Sequence, residues 1–314
     1  MKKSISIVIP AYNEEEVIDE LVKRITAVID EEKNYDFEVI IVDNGSKDLT
    51  YQKLLNANVK DKRFKALQLS RNFAPDGGYA AGLHYCKGDA AIFMNADLQD
   101  PPEMIPEFIK KWEEGYDIVY AKILHRGGES RFRNFFTSFG YSLIYHLTGK
   151  LIPKNVTDFR IIDRKVYTVI NGMHENSRFI RGMIVWTGFN QTAIEYSKSP
   201  RFAGESKYSN PFKLAIYGLN GALAFSSIPL RIVTSAGLFI GFLALLLGFI
   251  QLIYWILFQP DVRGFLSLYM TLTILFGALF FFLGIIAEYI SRIYEEVKQR
   301  PNFIVKNEIG FDKN

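Results

Sequence analysis

Two long stretches without a formal charge occupy the last third of the chain, 27 residues at 232–258 and 23 at 265–287. A helix needs about 20 apolar residues to cross a bilayer core, so each stretch is long enough. A buried helix pair in a soluble domain is the alternative, but two such runs in succession, rich in Leu, Phe and Gly, favour membrane spans. The connection Gln259-Pro260-Asp261-Val262-Arg263-Gly264 is too short to hold a domain, which predicts a two-helix transmembrane hairpin with both flanks on one side. Arg201, Lys207, Lys213 and Arg231 precede the pair and Arg292, Lys298 and Arg300 follow it, against Arg263 alone in the connection. Basic flanks stay inside, so we expect a multi-pass protein of the inner (plasma) membrane with both termini cytoplasmic. Neither run carries an acidic or basic residue before Glu288, which argues against a proton-coupled transporter. Gly237, Gly241, Gly248, Gly277 and Gly284 permit close helix packing and suggest a homo-oligomer.

The residues before the membrane runs have a different character. Strand-like segments recur at 5–10, 37–42, 64–69, 90–94 and 117–121, with helical patterns at 14–30, 50–58, 76–86 and 103–114 between them. That alternation predicts an α/β domain with a mostly parallel sheet covered by helices on both faces. In the first helical pattern Val17, Ile18, Leu21, Val22, Ile25, Val28 and Ile29 form one apolar stripe, which is core. The start, Met1-Lys2-Lys3-Ser4, runs directly into a strand pattern, so no signal peptide is expected. Cys86 is the one cysteine, and His84, His125, His146 and His174 lack the spacing of a metal cluster. A net charge of +3 gives no reason to expect nucleic acid as a partner; the basic residues near the membrane runs fit topology and lipid phosphate better.

Polar groups collect where the strand patterns stop. The first stops at Pro10-Ala11-Tyr12-Asn13-Glu14, the second at Asp43-Asn44-Gly45-Ser46-Lys47-Asp48, and the fourth at Asn95-Ala96-Asp97-Leu98-Gln99-Asp100-Pro101-Pro102-Glu103. In an open α/β sheet ligands bind beyond the carboxyl ends of the strands, so these three segments border one crevice. The first strand end lacks G-x-G-x-x-G, and no G-x-x-x-x-G-K-[ST] occurs, which excludes a plain dinucleotide-binding dehydrogenase and a P-loop enzyme. Asp43 either accepts hydrogen bonds from a base or ribose or caps a turn. Asp97 either holds a divalent cation against a diphosphate or belongs to an Asp-rich turn that ends in Pro-Pro before a helix.

The three strand ends together resemble the inverting family 2 glycosyltransferases of the GT-A fold, and within them the polyprenyl-phosphate branch, which includes dolichyl-phosphate mannose synthases and bactoprenol glucosyltransferases. The resemblance covers nearly the whole chain and includes Ser70-Arg71-Asn72-Phe73, Val156-Thr157-Asp158-Phe159-Arg160, Arg178-Phe179-Ile180-Arg181-Gly182 and Arg201-Phe202-Ala203-Gly204-Glu205-Ser206-Lys207. It implies a cytoplasmic catalytic domain at 1–209, an interfacial amphipathic segment at 210–230, the hairpin at 231–290 and a cytoplasmic tail at 291–314. The implied reaction is transfer of a single sugar, with inversion, from a nucleotide diphosphate sugar, a UDP-hexose such as UDP-glucose, to polyprenyl (undecaprenyl) phosphate. A GDP-mannose donor is the alternative.

By the same resemblance Pro10, Tyr12, Glu14, Asp43, Asn95 and Ala96 line the donor pocket, with Lys122, Arg131 and Arg133 on the donor phosphates. Arg201 and Lys207 would take the acceptor phosphate. Asp97, with Gln99 and Asn95, would hold Mg2+ or Mn2+, and Asp97, Gln99 and Asp158 form the implied catalytic set. Asp158 orients the acceptor side or pairs with Arg160 or Arg164. The Gly127-Gly128-Glu129-Ser130 segment reads as a mobile loop over the site or as a plain turn. Two positions depart from the family pattern. Asn95 stands where the family usually has the first Asp of Asp-Ala-Asp, and Asn44 replaces a common second Asp. An amide supplies no charge to a cation, so a non-catalytic nucleotide- or lipid-binding homologue is the further alternative. A processive polysaccharide synthase would need more membrane helices and a Q-x-x-R-W motif, neither of which occurs.

Overall fold

The computed structural model describes residues 2–124, 156–175, 178–197, 202, 228–258 and 264–311. The chain divides into two compact units, Met1–Ala224 with Arg300–Asn314, and Phe225–Gln299.

The first unit is built on one sheet. In chain order its elements are β1 (Lys3–Ala11), α1 (Ile18–Glu31), β2 (Tyr35–Asp43), α2 (Thr50–Lys60), β3 (Phe64–Leu69), α3 (Ala74–Tyr85) and β4 (Ala90–Phe93). A single turn at Pro102–Met104 leads into α4 (Ile105–Glu113), then β5 (Ile118–Ile123), β6 (Val156–Asp163), α5 (Arg164–Asn171), α6 (Ile180–Trp186) and β7 (Gln191–Tyr196). The strand order is β7-β5-β6-β4-β1-β2-β3-β8, where β8 (Val305–Ile309) comes from the far end of the chain. Pairs β1–β2, β2–β3, β1–β4 and β5–β7 are parallel, whereas β6 runs antiparallel to β4 and β5, and β8 to β3.

The central strands are buried on both faces, which is why they read as unbroken apolar runs. Ile5, Ile7 and Ile9 of β1 join Ile18, Leu21, Ile25, Val28 and Ile29 of α1 in one core cluster. Val8 faces the other way and meets α3, where the absence of a side chain at Gly82 is required: a Cβ there would stand 2.3 Å from Val8 Cγ1. Leu67 and Leu69 of β3 and Ile40 and Val42 of β2 complete that second layer.

The five expected strands correspond to β1–β5 and the four expected helices to α1–α4. Three strands carry no comparable sequence signal. In β6 the fully buried Arg160 interrupts the apolar pattern, and in β7 and β8 the polar residues of half-exposed strands do so. Much of the segment 291–314, expected as a tail, is regular structure. Its first residues continue a helix to Val297, and Val305–Ile309 then pairs with β3 in the register Ala66↔Ile309. Phe303, Val305 and Phe311 lay their side chains on the layer formed by Ile40, Val42, Leu67, Leu69 and Ala81, so burial holds the segment in place.

The second unit holds two helices, α7 (Ile228–Phe258, 31 residues) and α8 (Phe265–Val297, 33 residues). Within α8 the stretch Ile274–Val297 is long and apolar enough to cross a membrane. Its large apolar side chains lie bare, among them Leu279, Phe280, Phe281 and Ile290, as do Leu238, Phe239 and Phe242 of α7. Most of the expected interfacial segment 210–230 and the connection 259–263 lie outside the described residues.

Candidate functional site

Parallel pairing brings three strand ends to one edge of the sheet. Ala11 of β1 lies opposite Asp43 of β2, and Val8 of β1 opposite Phe93 of β4, so the chain leaves all three strands on the same side. The order of strands reverses at β1, with β2 and β3 to one side and β4 to the other, which opens a crevice beyond the β1 and β4 ends.

Asp43 ends β2 with its side chain fully buried. Its Oδ1 accepts the Ser46 backbone N–H at 2.9 Å, while Oδ2 is buried without a hydrogen-bond partner. An unpaired buried carboxylate oxygen is costly, and a ligand donor is one way to satisfy it. Gly45 makes the turn possible. Its φ is +73°, and a Cβ would stand 2.6 Å from the Arg71 carbonyl carbon. Asn44 uses both ends of its amide, Nδ2 donating to the Ala74 carbonyl at 2.8 Å and Oδ1 accepting the Phe73 N–H at 2.9 Å. A carboxylate has no N–H for Ala74, so the departure from the family pattern at position 44 fits a brace between the β2 and β3 ends.

The β1 end is laced to the same turn. The Asn13 N–H donates to Ser46 Oγ at 2.9 Å, Asn13 Oδ1 accepts the Lys47 N–H at 2.9 Å, and the Glu14 N–H donates to Thr50 Oγ1 at 2.9 Å. Pro10, Tyr12 and Glu14 are half-buried along this rim.

After β4 the chain alternates sharply. Ala96, Leu98 and Asp100 are buried, while Asn95, Asp97 and Gln99 between them are half-buried. Leu98 holds a φ of 56°, unusual for a bulky residue, with its side chain in the core. Asp97 Oδ1 accepts the Gln99 N–H at 3.2 Å across it. Ala96, expected in the donor pocket, places its methyl in the core cluster. Asn95 is tied inward: its Nδ2 donates to Asp100 Oδ2 at 2.8 Å and its Oδ1 accepts from the Tyr79 hydroxyl at 3.2 Å.

Asp158, on β6, accepts from Arg181 Nε of α6 at 2.9 Å and forms an ion pair with its Nη2 at 2.8 Å. Arg160 Nη2 stands 4.0 Å away, and Arg164 pairs with Asp89 instead, which removes it as a partner of Asp158. Burial brings the Arg160 guanidinium down to about 10 despite the opposing pull of Asp158. Its Nη2 donates to the Thr157 carbonyl at 2.6 Å. The sequence marks Arg181 only as part of a motif; α6, which packs on α3 and α5, brings it to Asp158. Lys122, expected on the donor phosphates, forms an exposed ion pair with Glu195 of β7 at 2.8 Å. Arg131, Arg133, Arg201 and Lys207, and the segment 127–130, lie outside the described residues.

Among the described residues no group of three His, Cys, Asp or Glu side chains is placed to hold a metal ion by itself. The donor set still fits a hard divalent cation. Mg2+ usually binds through one or two carboxylates completed by substrate phosphates and water, and Asp97 with Gln99 offers such a partial set at the mouth of the crevice.

Residues 6–170 match the description "Glycosyl transferase family 2". A glycosyltransferase of Synechocystis sp. (strain ATCC 27184 / PCC 6803 / Kazusa), sll0501, is 39% identical over 99% of this chain and 98% of its own length. The glycosyltransferase YkcC of Bacillus subtilis (strain 168) is 39% identical over 98% of this chain and 94% of its own length. The bactoprenol glucosyl transferase of Shigella phage SfV is 38% identical over 97% of this chain and 98% of its own length. With an α/β, GT-A-like sheet whose strand ends meet at one crevice, and with relatives matched along nearly its full length, the chain belongs to glycosyl transferase family 2 and is a glycosyltransferase.

Proposed function

We propose that this enzyme transfers one sugar from a nucleoside diphosphate sugar to a polyprenyl phosphate at the cytoplasmic face of the membrane, with inversion at the anomeric carbon. The observation that carries this reading is Asp43, whose buried Oδ2 has no protein partner and stands ready for a donor group of the nucleoside. Asp97, with Gln99, would hold Mg2+ or Mn2+, and the cation supplies positive charge against the departing diphosphate. Tyr12 and Glu14 line the donor side. Lipid phosphate is anionic at neutral pH, so the acceptor needs no general base to become a nucleophile. Asp158 accordingly serves by orienting the Arg181 guanidinium towards an anion, with the buried Arg160 behind it. UDP-glucose is the favoured donor because relatives of the same length are named bactoprenol glucosyl transferase.

The membrane part of the reading is a hairpin of α7 and α8 with both termini cytoplasmic. It is supported by the uncharged run 232–258 within α7, the apolar stretch of α8, and the basic residues at both flanks. A homo-oligomer is included because Gly237, Gly277 and Gly284 leave open notches on these helices, with no heavy atom within 4 Å of a Cβ built there.

The test is transfer by the full-length protein in detergent, from UDP-glucose to undecaprenyl phosphate, with Mg2+ or Mn2+ and with the anomeric configuration of the product determined. Transfer from GDP-mannose alone would redirect the donor assignment. No lipid-linked product from any UDP- or GDP-sugar would sink the reading. Asp97→Ala is expected to lower kcat by about 100-fold or more.

A further inference from the structure

The family pattern would place a carboxylate at position 95, yet the structure gives the amide work that a carboxylate cannot do. Asp100 is fully buried at the end of the turn, and its two oxygens need donors. Oδ1 receives the Tyr196 hydroxyl at 2.8 Å. Oδ2 receives Asn95 Nδ2 at 2.8 Å and, more loosely, the Asn95 backbone N–H at 3.4 Å. On its other side the Asn95 amide accepts the Tyr79 hydroxyl at 3.2 Å, and the Tyr79 ring stacks on Phe93 of β4 with centroids 4.9 Å apart.

The chain of bonds has one direction: Tyr79 donates to Asn95, Asn95 donates to Asp100, and Tyr196 donates to Asp100. Burial first, and then nearby carboxylates, push both phenols well above their ordinary value, so each keeps the proton that it donates. The series ties α3, the β4 end and β7 together around the turn. Between its two anchors, Asn95 and Asp100, the turn carries Asp97 outward and Leu98 inward. Aspartate at position 95 would replace the Nδ2 donor by a second carboxylate oxygen about 2.8 Å from Asp100 Oδ2.

We propose that Asn95 is a positioning residue, the amide strut that links Tyr79 to Asp100 and fixes the turn bearing Asp97, and that it is not a metal ligand. The assignment rests on the reading of Asp97 as the metal-holding carboxylate. It explains why position 95 carries an amide, and it leaves the cation with one charged ligand from this turn.

The test uses the full-length protein in detergent and compares Asn95→Asp, Asp100→Asn, the double variant and Asp97→Ala. Two readouts are taken, Tm and the binding of Mn2+ in the presence of UDP, followed by the paramagnetic resonance of free Mn2+. A strut predicts that Asn95→Asp lowers Tm by about 3–6 °C and does not tighten Mn2+ binding. It also predicts that the double variant regains most of the loss, because the two groups then exchange roles: the amide now at position 100 donates to the carboxylate now at position 95 and accepts from Tyr196. A metal ligand predicts the opposite, a carboxylate that binds Mn2+ about tenfold more tightly with Tm unchanged, and either of those results overturns the proposal. Asp97→Ala separates the two layers of the argument. If it leaves Mn2+ binding intact, the metal reading of Asp97 fails, while the Tm series still decides whether Asn95 is a strut.

Discussion

Gly45 sits where the β2 end must turn back beneath the β3–α3 loop, and no other residue fits there without movement. Alanine would carry a positive φ and press its Cβ against the Arg71 backbone, so Gly45→Ala is expected to cost about 1–3 kcal/mol of stability. Denaturant unfolding measures that loss. Because the same turn delivers the Ser46 N–H to Asp43, UDP affinity, read by titration calorimetry, is expected to fall with it. An unchanged UDP affinity in a folded variant would remove Asp43 from the nucleotide pocket. A glycine after an acidic strand end was visible in the sequence as a turn signal, whereas the braces made by Asn44 were not. Those bonds reach Phe73 and Ala74, and no local pattern links a residue to a loop beyond the next βα unit.

At the level of elements, a half-buried ion pair ties neighbouring strands of the sheet together. Glu38 of β2 accepts from Lys65 Nζ of β3 at 2.7 Å, from the Lys87 N–H at 2.7 Å and from Ser6 Oγ of β1. Burial alone would raise the Glu38 carboxyl, but these donors and the Lys65 charge outweigh it and hold it below its ordinary 4.5. A depressed folded-state pKa stabilises above the unfolded value, and that stability is lost as pH falls through the folded value. Thermal stability is therefore expected to decline below about pH 4.5, with a shallower acid limb in Glu38→Gln. At neutral pH the same variant should lose about 1–3 kcal/mol. An acid limb identical to wild type would show that the cluster is not the linked group. Strands β1–β5 were legible because both-face burial makes apolar runs. Strand β6 was not, because its interior position is occupied by Arg160, a charged residue whose guanidinium is met by the carbonyls of Thr157 and Asp158 in the same strand.

For the whole molecule, the placement of β8 sets the connectivity. The chain passes from the first unit into α7 and α8 and returns to the same sheet, so a membrane reading requires an even number of crossings. In a Cys86→Ala background, a cysteine at Asp261 is expected to react with an impermeant maleimide from outside intact cells, and one at Lys313 only after lysis. Labelling of both positions from outside would refute the hairpin. Charge runs and strand-end chemistry depend on neighbours in the chain, so the sequence by itself determined the uncharged stretches, the alternating α/β order, the three polar strand ends and the family. What depends on distant partners was decided by tertiary structure: Arg181 against Asp158, the return of β8 to β3, and the bonds that place Asn95 between Tyr79 and Asp100. In each case the physical cause is packing: the sheet and its helices bring a polar group or a sheet edge within bonding distance of a partner that no local sequence pattern assigns to it.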